Sequence, residues 1–325
     1  MFRYVSFVGF VSTICLLFGL SGCGSGGNNS SSSTNLMGGS IQGKYVSSTG
    51  VVSTLANTAA NMPFGITTDG TNLYVVDYRN NLFKKIVISN GTVTTLATGS
   101  TITAPTGITT DGKNLYIAET GTNSILQIEI ATGTLTKLAG YGASFNRPYG
   151  ITTDGMNLYV ADTGNNTIRK VVIATGVVTT LALYDGTGAS VSLNGPYGIT
   201  TDGTNLYVAD TGNNTIRKVV IATGVVTTLA GSPPPTLPGS ADGIGAAASF
   251  KGPYGITTDG TSLYVADSGN NSIRKVVIAT GVVSTLALTD GTGTAASLKD
   301  PYGITTDGTS LYVTDTGNNT VKKIQ

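Results

Sequence analysis

The 325 residues carry 18 Lys and Arg against 17 Asp and Glu, 45 glycines, no tryptophan and no histidine, with charged residues at 11% and a positive mean hydropathy. A near-neutral chain without a basic face does not suit a nucleic-acid binder, and the lack of histidine removes the Ser-His-Asp triad, the His-liganded zinc site and the commonest general base. What remains suits a sheet protein with tight turns and a Thr, Asn and Ser surface.

In chain order, residues 1–22 stand apart from any fold. Arg3 supplies a minimal positive start, residues 5–20 are apolar, and Leu20-Ser21-Gly22-Cys23 places small residues before a cysteine, the layout of a secretory leader. The tetrapeptide resembles the lipobox of bacterial lipoproteins. That resemblance implies cleavage before Cys23, acylation of Cys23 sufficient for stable membrane anchoring, and residence in the bacterial cell envelope. Gly24, in a position where Asp is absent, resembles the pattern of lipoproteins sent to the outer membrane of a two-membraned cell. An ordinary secretory leader or an uncleaved anchor is the plainer alternative. Cleavage would remove Arg3 and Cys15, leaving 17 basic and 17 acidic residues and a single lipidated cysteine, hence no intramolecular disulfide. Residues 24–40 are almost all Gly, Ser and Asn, too polar to fold; as a flexible tether they reach about 23 Å.

From about 41 to 325 the chain is repetitive, and one domain is expected where length alone suggests about two. The unit is clearest at 148–182, PYGITTDGMNLYVADTGNNTIRKVVIATGVVTTLA. It recurs at 196–230 with one change, Thr204 for Met156, and more loosely from Pro63, Pro105, Pro253 and Pro301. GITT ends at the turn dipeptide Asp154-Gly155, LYVAD follows, Thr163-Gly164-Asn165-Asn166 turns into TIRKVVIA, and Thr175-Gly176 turns into VVTTLA. That is four antiparallel strands with no helical period, one propeller blade, so the fold class is all-β with six four-stranded blades. The last copy stops at Gln325 within its third strand. Val51-Val52-Ser53-Thr54-Leu55-Ala56 matches the fourth-strand sequence at 282–287, so this N-terminal strand is expected to complete the sixth blade and close the ring. The segment at 41–47 also resembles a third strand and competes with the C-terminal segment, which is expected to win because it continues its own hairpin.

The pattern P-x-G-I-x-x-D-x-x-x-L-Y-V-A-D-T-G-N-x-x-I-R-K-V resembles the NHL repeat, a six-bladed β-propeller family, over about 285 residues. Where that family often has histidine after the first Asn, this chain has Asn166, Asn214, Asn271 and Asn319. NHL-like and related propellers include lyases and lactonases, whose resemblance implies histidine, zinc or calcium sites; without histidine only carboxylates remain for chemistry. Of the 17 acids, six end the first strand of a blade (Asp69, Asp111, Asp154, Asp202, Asp259, Asp307) and six the second (Asp77, Glu119, Asp162, Asp210, Asp267, Asp315). These twelve are read as acceptors for turn N–H groups. The alternative is a carboxylate ring holding a cation, for which oxygen ligands favour calcium; no other cofactor, and no catalytic or metal-ligating residue, is assigned.

The spacers between blades cross one face of the disc, the candidate binding surface. It carries Phe64, Tyr149, Tyr197, Tyr254 and Tyr302 after the prolines, with Thr106 in the sixth place. Such aromatics at a channel mouth stack on sugars or grip peptides; otherwise each packs under its own spacer. The longest spacer, 231–252, contains Pro233-Pro234-Pro235 and reads either as a specific feature or as a solvated polyproline bulge. The LYV tyrosines, Tyr74, Tyr116, Tyr159, Tyr207, Tyr264 and Tyr312, read as core, with repeated threonines as hydroxyl partners. The expectation is a monomeric, membrane-tethered binding propeller that recognises a protein or glycan through its spacer face, with a cation-dependent lactonase- or lyase-type hydrolase in the central channel as the alternative.

Overall fold

A computed structural model of the chain describes residues 50–57, 60–97, 102–140, 142, 144–233, 237–290 and 296–325. The expected leader, Cys23, the tether and the strand-like segment at 41–47 lie outside the described residues, as do Pro234 and Pro235.

The repeat folds as its alternation requires. In the third blade, Pro148–Thr153, Asn157–Asp162, Thr167–Val172 and Val178–Thr180 pair antiparallel in sequence order. The first turn is closed by its own side chains: Asp154 Oδ1 accepts the N–H groups of Met156 (2.9 Å) and Asn157 (2.6 Å), and Thr153 Oγ1 accepts that of Gly155. Gly155 sits at φ +90 with nothing near the place of a Cβ, so its backbone, not crowding, demands glycine. The second turn is a short 3₁₀ segment, Thr163–Asn165, followed by Asn166 in the left-handed region.

Period-two alternation makes each sheet two-faced. Leu158 and Val160 pack on Tyr116 and Ala118 of the preceding blade, and Tyr159 and Ala161 on Leu206 and Val208 of the following one. All of these are buried, and each large apolar side chain contributes roughly 1.5–3 kcal/mol. The same arrangement closes the circle: Leu73, Val75 and Ile86 of the first blade pack on Tyr312 and Val321 of the sixth. The protein is a six-bladed β-propeller. Val52–Asn57 pairs antiparallel with Thr320–Ile324, which itself pairs with Leu311–Asp315, so the N-terminal strand completes the last blade and the C-terminal segment holds the third-strand place.

Polar bonds reinforce each joint between blades. Asn166 Oδ1 accepts the N–H of Gly195, the residue before the next blade's proline (2.7 Å), and Asn81, Asn123, Asn214, Asn271 and Asn319 repeat the bond around the ring at 2.7–2.9 Å. All six have φ of 53–57, a conformation asparagine tolerates better than most residues. One step further in, Thr163 donates to Pro196 O (2.5 Å), Thr211 to Pro253 O (2.6 Å), Thr120 to Pro148 O (2.6 Å), Thr316 to Pro63 O (2.6 Å) and Ser268 to Pro301 O. The first blade has Tyr78 at this position instead.

One expectation is corrected, and the long spacer is part exposed and part built in. The buried LYV tyrosines bond not to threonine but to the first-strand aspartates: Tyr74 to Asp69, Tyr116 to Asp111, Tyr159 to Asp154, Tyr207 to Asp202, Tyr264 to Asp259 and Tyr312 to Asp307, at 2.8–3.0 Å. The threonine hydroxyls are already engaged in the turns, as Thr153 is with Gly155 N and Asn157 O. The long spacer keeps Pro233, Leu237, Pro238 and residues 240–242 exposed, yet part of it is built into the fold. Gly243–Ile244 adds a fifth strand to the fifth blade, beside Val282–Thr285. The fully buried Arg274 ties it down, pairing with Asp267 (3.0 Å) and Asp242 (2.8 Å), donating to Ala241 O and Ser249 O, and lying over the Phe250 ring.

Candidate functional site

The innermost strands surround the axis, each touching the next and the sixth touching the first. Their closeness is set by a glycine three residues into each repeat. A Cβ on Gly150 would lie 2.0 Å from Tyr197 O; on Gly107, 2.1 Å from Tyr149 O; on Gly198, 2.0 Å from Tyr254 O; on Gly255, 2.1 Å from Tyr302 O; on Gly65 and Gly303, 2.3 Å from Thr106 O and Phe64 O. None of these glycines has positive φ; the reason for glycine is the neighbouring backbone. Six strands drawn together this way leave a channel mouth of about 70 Å³, lined by these glycines and the residues before them.

Those preceding residues are the aromatics singled out from the sequence. They do not pack separately under their spacers but on one another across blade boundaries: Tyr149 on Tyr197 at 4.4 Å between ring centroids, Tyr197 on Tyr254 at 4.7 Å, Tyr254 on Tyr302 at 4.5 Å and Tyr302 on Phe64 at 4.4 Å. The steps are tilted or edge-on, favourable geometries for aromatic pairs, and all five rings are half-buried. Burial and the flanking Tyr149 and Tyr254 phenols push the Tyr197 hydroxyl up to about 12.

The sixth place is different. Thr106 is buried there, its hydroxyl occupied by Thr120 Oγ1 (2.9 Å) and nearby carbonyls. Tyr78, from the first blade, stacks on Phe64 at 4.9 Å, so the ladder runs Tyr149, Tyr197, Tyr254, Tyr302, Phe64, Tyr78; among the described residues its two ends are not in ring contact. Arg147 lies beside the Tyr149 hydroxyl and within electrostatic range of Tyr197 and Tyr78. Sequence reading passed over Tyr78 and Arg147. The signal was a reciprocal exchange, Tyr for the usual Thr or Ser at 78 and Thr for the usual aromatic at 106, together with a charge at the residue before a proline.

The twelve repeated acids are engaged as turn and spacer acceptors. Burial works to raise the first-strand group, but hydrogen bonds from the Asn, Ser, Thr and Tyr neighbours outweigh it, and Asp69, Asp111, Asp154, Asp202, Asp259 and Asp307 are all held below the usual carboxylate range. The second-strand group is buried, and each accepts the N–H of the spacer residue sixteen positions before it, as Asp162 does from Asn146 (2.7 Å). Burial pushes Asp210 and Asp267 up despite these bonds. Among the described residues, no three His, Cys, Asp or Glu side chains come together as a metal-binding group.

No protein-family model matches the chain, and no curated protein matches it by sequence. Solved structures do. A structural-genomics protein of unknown function from Bacteroides thetaiotaomicron shares 21% identity with a TM-score of 0.70, over 85% of this chain and 75% of that one. An auxiliary nutrient binding protein from Bacteroides ovatus shares 19% with a TM-score of 0.66, over 82% and 69%. A catalytically inactive virginiamycin B lyase from Staphylococcus aureus, solved with quinupristin, shares 20% with a TM-score of 0.55, over 81% and 80%. At these identities the likeness shows the fold.

Proposed function

We propose that the chain is a lipid-anchored NHL-type propeller of the bacterial cell envelope that captures a protein or glycan through its spacer-side mouth and does no chemistry of its own. Anchoring is assigned to Cys23 after removal of 1–22, with 24–40 as the tether and 41–325 as the monomeric binding domain; in a two-membraned cell the site is the outer membrane. The observation that carries the reading is the ladder Tyr149, Tyr197, Tyr254, Tyr302 and Phe64, joined ring to ring and half-exposed at the mouth. Half-exposed aromatics collected in one place are the kind of residue that dominates binding energy. The nutrient binding protein among the similar folds supports it.

A second reading, a lyase- or lactonase-type enzyme with a channel cation such as calcium, draws on the virginiamycin B lyase fold. The sequence has no histidine, and the repeated carboxylates are spent on turns and spacers, which favours the binding reading. The test compares the full chain with Tyr197→Ala/Tyr254→Ala for capture of partners from envelope extract. Loss of capture with an unchanged melting temperature supports the proposal; unchanged capture moves recognition away from the mouth.

A further inference from the structure

The residue before each proline stands one place along the chain from the innermost strand, one per blade around the ring: Met62, Ala104, Arg147, Gly195, Gly252 and Asp300. Only two are charged, one of each sign. They stand on the third and sixth blades, and since the innermost strands contact one another in cyclic order, those blades are opposite each other across the channel. Both side chains are exposed, and both backbones are pinned, Arg147 N to Asn123 Oδ1 (2.7 Å) and Asp300 N to Asn271 Oδ1 (2.8 Å). Each lies next to an end or middle of the aromatic ladder: Arg147 beside Tyr149, and Asp300 close enough to Tyr302 to act on its phenol. The three ion pairs among the described residues, Arg169 with Asp162 and Arg274 with Asp242 and Asp267, engage neither.

From this we infer that the mouth is a subsite for a short peptide with free termini, its carboxylate on Arg147, its ammonium on Asp300 and its side chains on the aromatic ladder between them. The spacing selects the length. The aromatic rings, at steps of 4.4–4.7 Å, follow the arc of a circle roughly 9 Å across, and Arg147 and Asp300 stand on opposite sides of it, so an occupant that meets both needs about three or more residues of extended chain at ~3.3–3.6 Å each. A free amino acid, with both charges on one residue, is too short to reach both. A neutral sugar can hydrogen-bond to both side chains but brings no opposite charge to either. Of the other basic residues of this face, Arg79 donates its Nε to Met62 Sδ (2.8 Å) on the first blade, and Lys251 and Lys299 pack their stems against the turns at Gly269 and Gly317.

This inference rests on the mouth being the recognition surface, and its test separates the two. The full chain in detergent is titrated calorimetrically with Ala-Phe-Ala bearing free termini, with its N-acetylated form and with its C-amidated form, and the series is repeated with Arg147→Gln and Asp300→Asn. The free peptide binds, and blocking either terminus weakens binding roughly tenfold, the worth of one charge-assisted hydrogen bond. Arg147→Gln loses the same factor and is then indifferent to amidation; Asp300→Asn becomes indifferent to acetylation. Equal affinity of the three forms overturns the inference, as does a loss that follows Arg147 alone, which marks a simple anion site. If no tripeptide binds while Tyr197→Ala/Tyr254→Ala still abolishes partner capture, the peptide assignment fails and the binding mouth stands; if capture also survives that double variant, both fail.

Discussion

Gly150→Ala measures how far the mouth depends on its glycine circle. The added methyl would sit 2.0 Å from Tyr197 O and 3.1 Å from Tyr197 C, both backbone atoms, so no side-chain rotation relieves the contact. An ordinary separation of 3.4 Å requires the innermost strand of the fourth blade to retreat by about 1.4 Å, an overpacking cost of roughly 1–3 kcal/mol. That retreat also strains the bonds from Thr163 to Pro196 O (2.5 Å) and from Gly195 N to Asn166 Oδ1 (2.7 Å), each worth about 1 kcal/mol. The sum is about 3–5 kcal/mol, or some 6–15 °C in melting temperature at ~2–3 °C per kcal/mol for a domain of this size. Gly155→Ala is the control: its φ of +90 is unfavourable for alanine but nothing lies within 4 Å, so its cost is about 1–2 kcal/mol. Both variants are followed by thermal and urea denaturation with circular dichroism. If Gly150→Ala costs no more than Gly155→Ala, the innermost strands are not held at the distance described and the reasoning is refuted.

Deleting residues 50–57 removes the strand that pairs with Thr320–Ile324 and uncovers the last blade; a loss of roughly 4 kcal/mol is expected from the bonds and the buried Val52 and Ala56, and an unchanged melting temperature would show that the ring closes otherwise. The Tyr–Asp pairs set a pH window. The six aspartates, held low in the fold, stabilise above their ordinary range near pH 4, and this is lost as pH falls toward the folded values. The tyrosines, raised by burial and then by the aspartate charge, to about 12 for Tyr159, contribute stability that is full below about pH 10 and lost as pH rises through the folded value. Melting temperature should therefore hold between about pH 4 and pH 10 and fall on both sides, the acid loss being partly offset by Asp210 and Asp267, which are shifted upward; a profile flat down to pH 2 contradicts the pairing. Cys23→Ser should release the protein from membranes in fractionated cells, and a variant still recovered as a cleaved, lipid-labelled species would refute the anchor.

Much of the architecture was legible because the repeat states its own alternation. Leu158 and Val160 against Tyr159 and Ala161 declare a sheet with two apolar faces, and such a sheet needs neighbours. Val51 to Ala56 declared its place by matching a fourth strand whose own blade lacked one. The contacts between blades were not legible in the same way. Gly150 looks like a weak strand residue until Tyr197 O is placed 2.0 Å from its missing Cβ. A repeated threonine was a fair partner for the Tyr159 hydroxyl by composition, but a threonine such as Thr153 is already committed to the turn it sits in. Arg274 gave no sign of burial, because Asp242, one of its two carboxylate partners, is 32 residues away in a spacer that reads as solvated. At the mouth the five aromatics were visible in the sequence, whereas Tyr78 was hidden: position 78 belongs to a turn, and only the ring places it against Phe64.

The claim that recognition occurs at the spacer-side mouth is tested most directly by oxidative footprinting of the full chain with and without its captured partner. The two faces carry their own probes. Tyr149, Tyr197, Tyr254 and Tyr302 report on the mouth, and Met156, 73% exposed in the turn after Asp154-Gly155, reports on the opposite rim. The account predicts that partner binding protects the four tyrosines and leaves Met156 oxidised at its free rate; protection of Met156 with unchanged tyrosine labelling would contradict it.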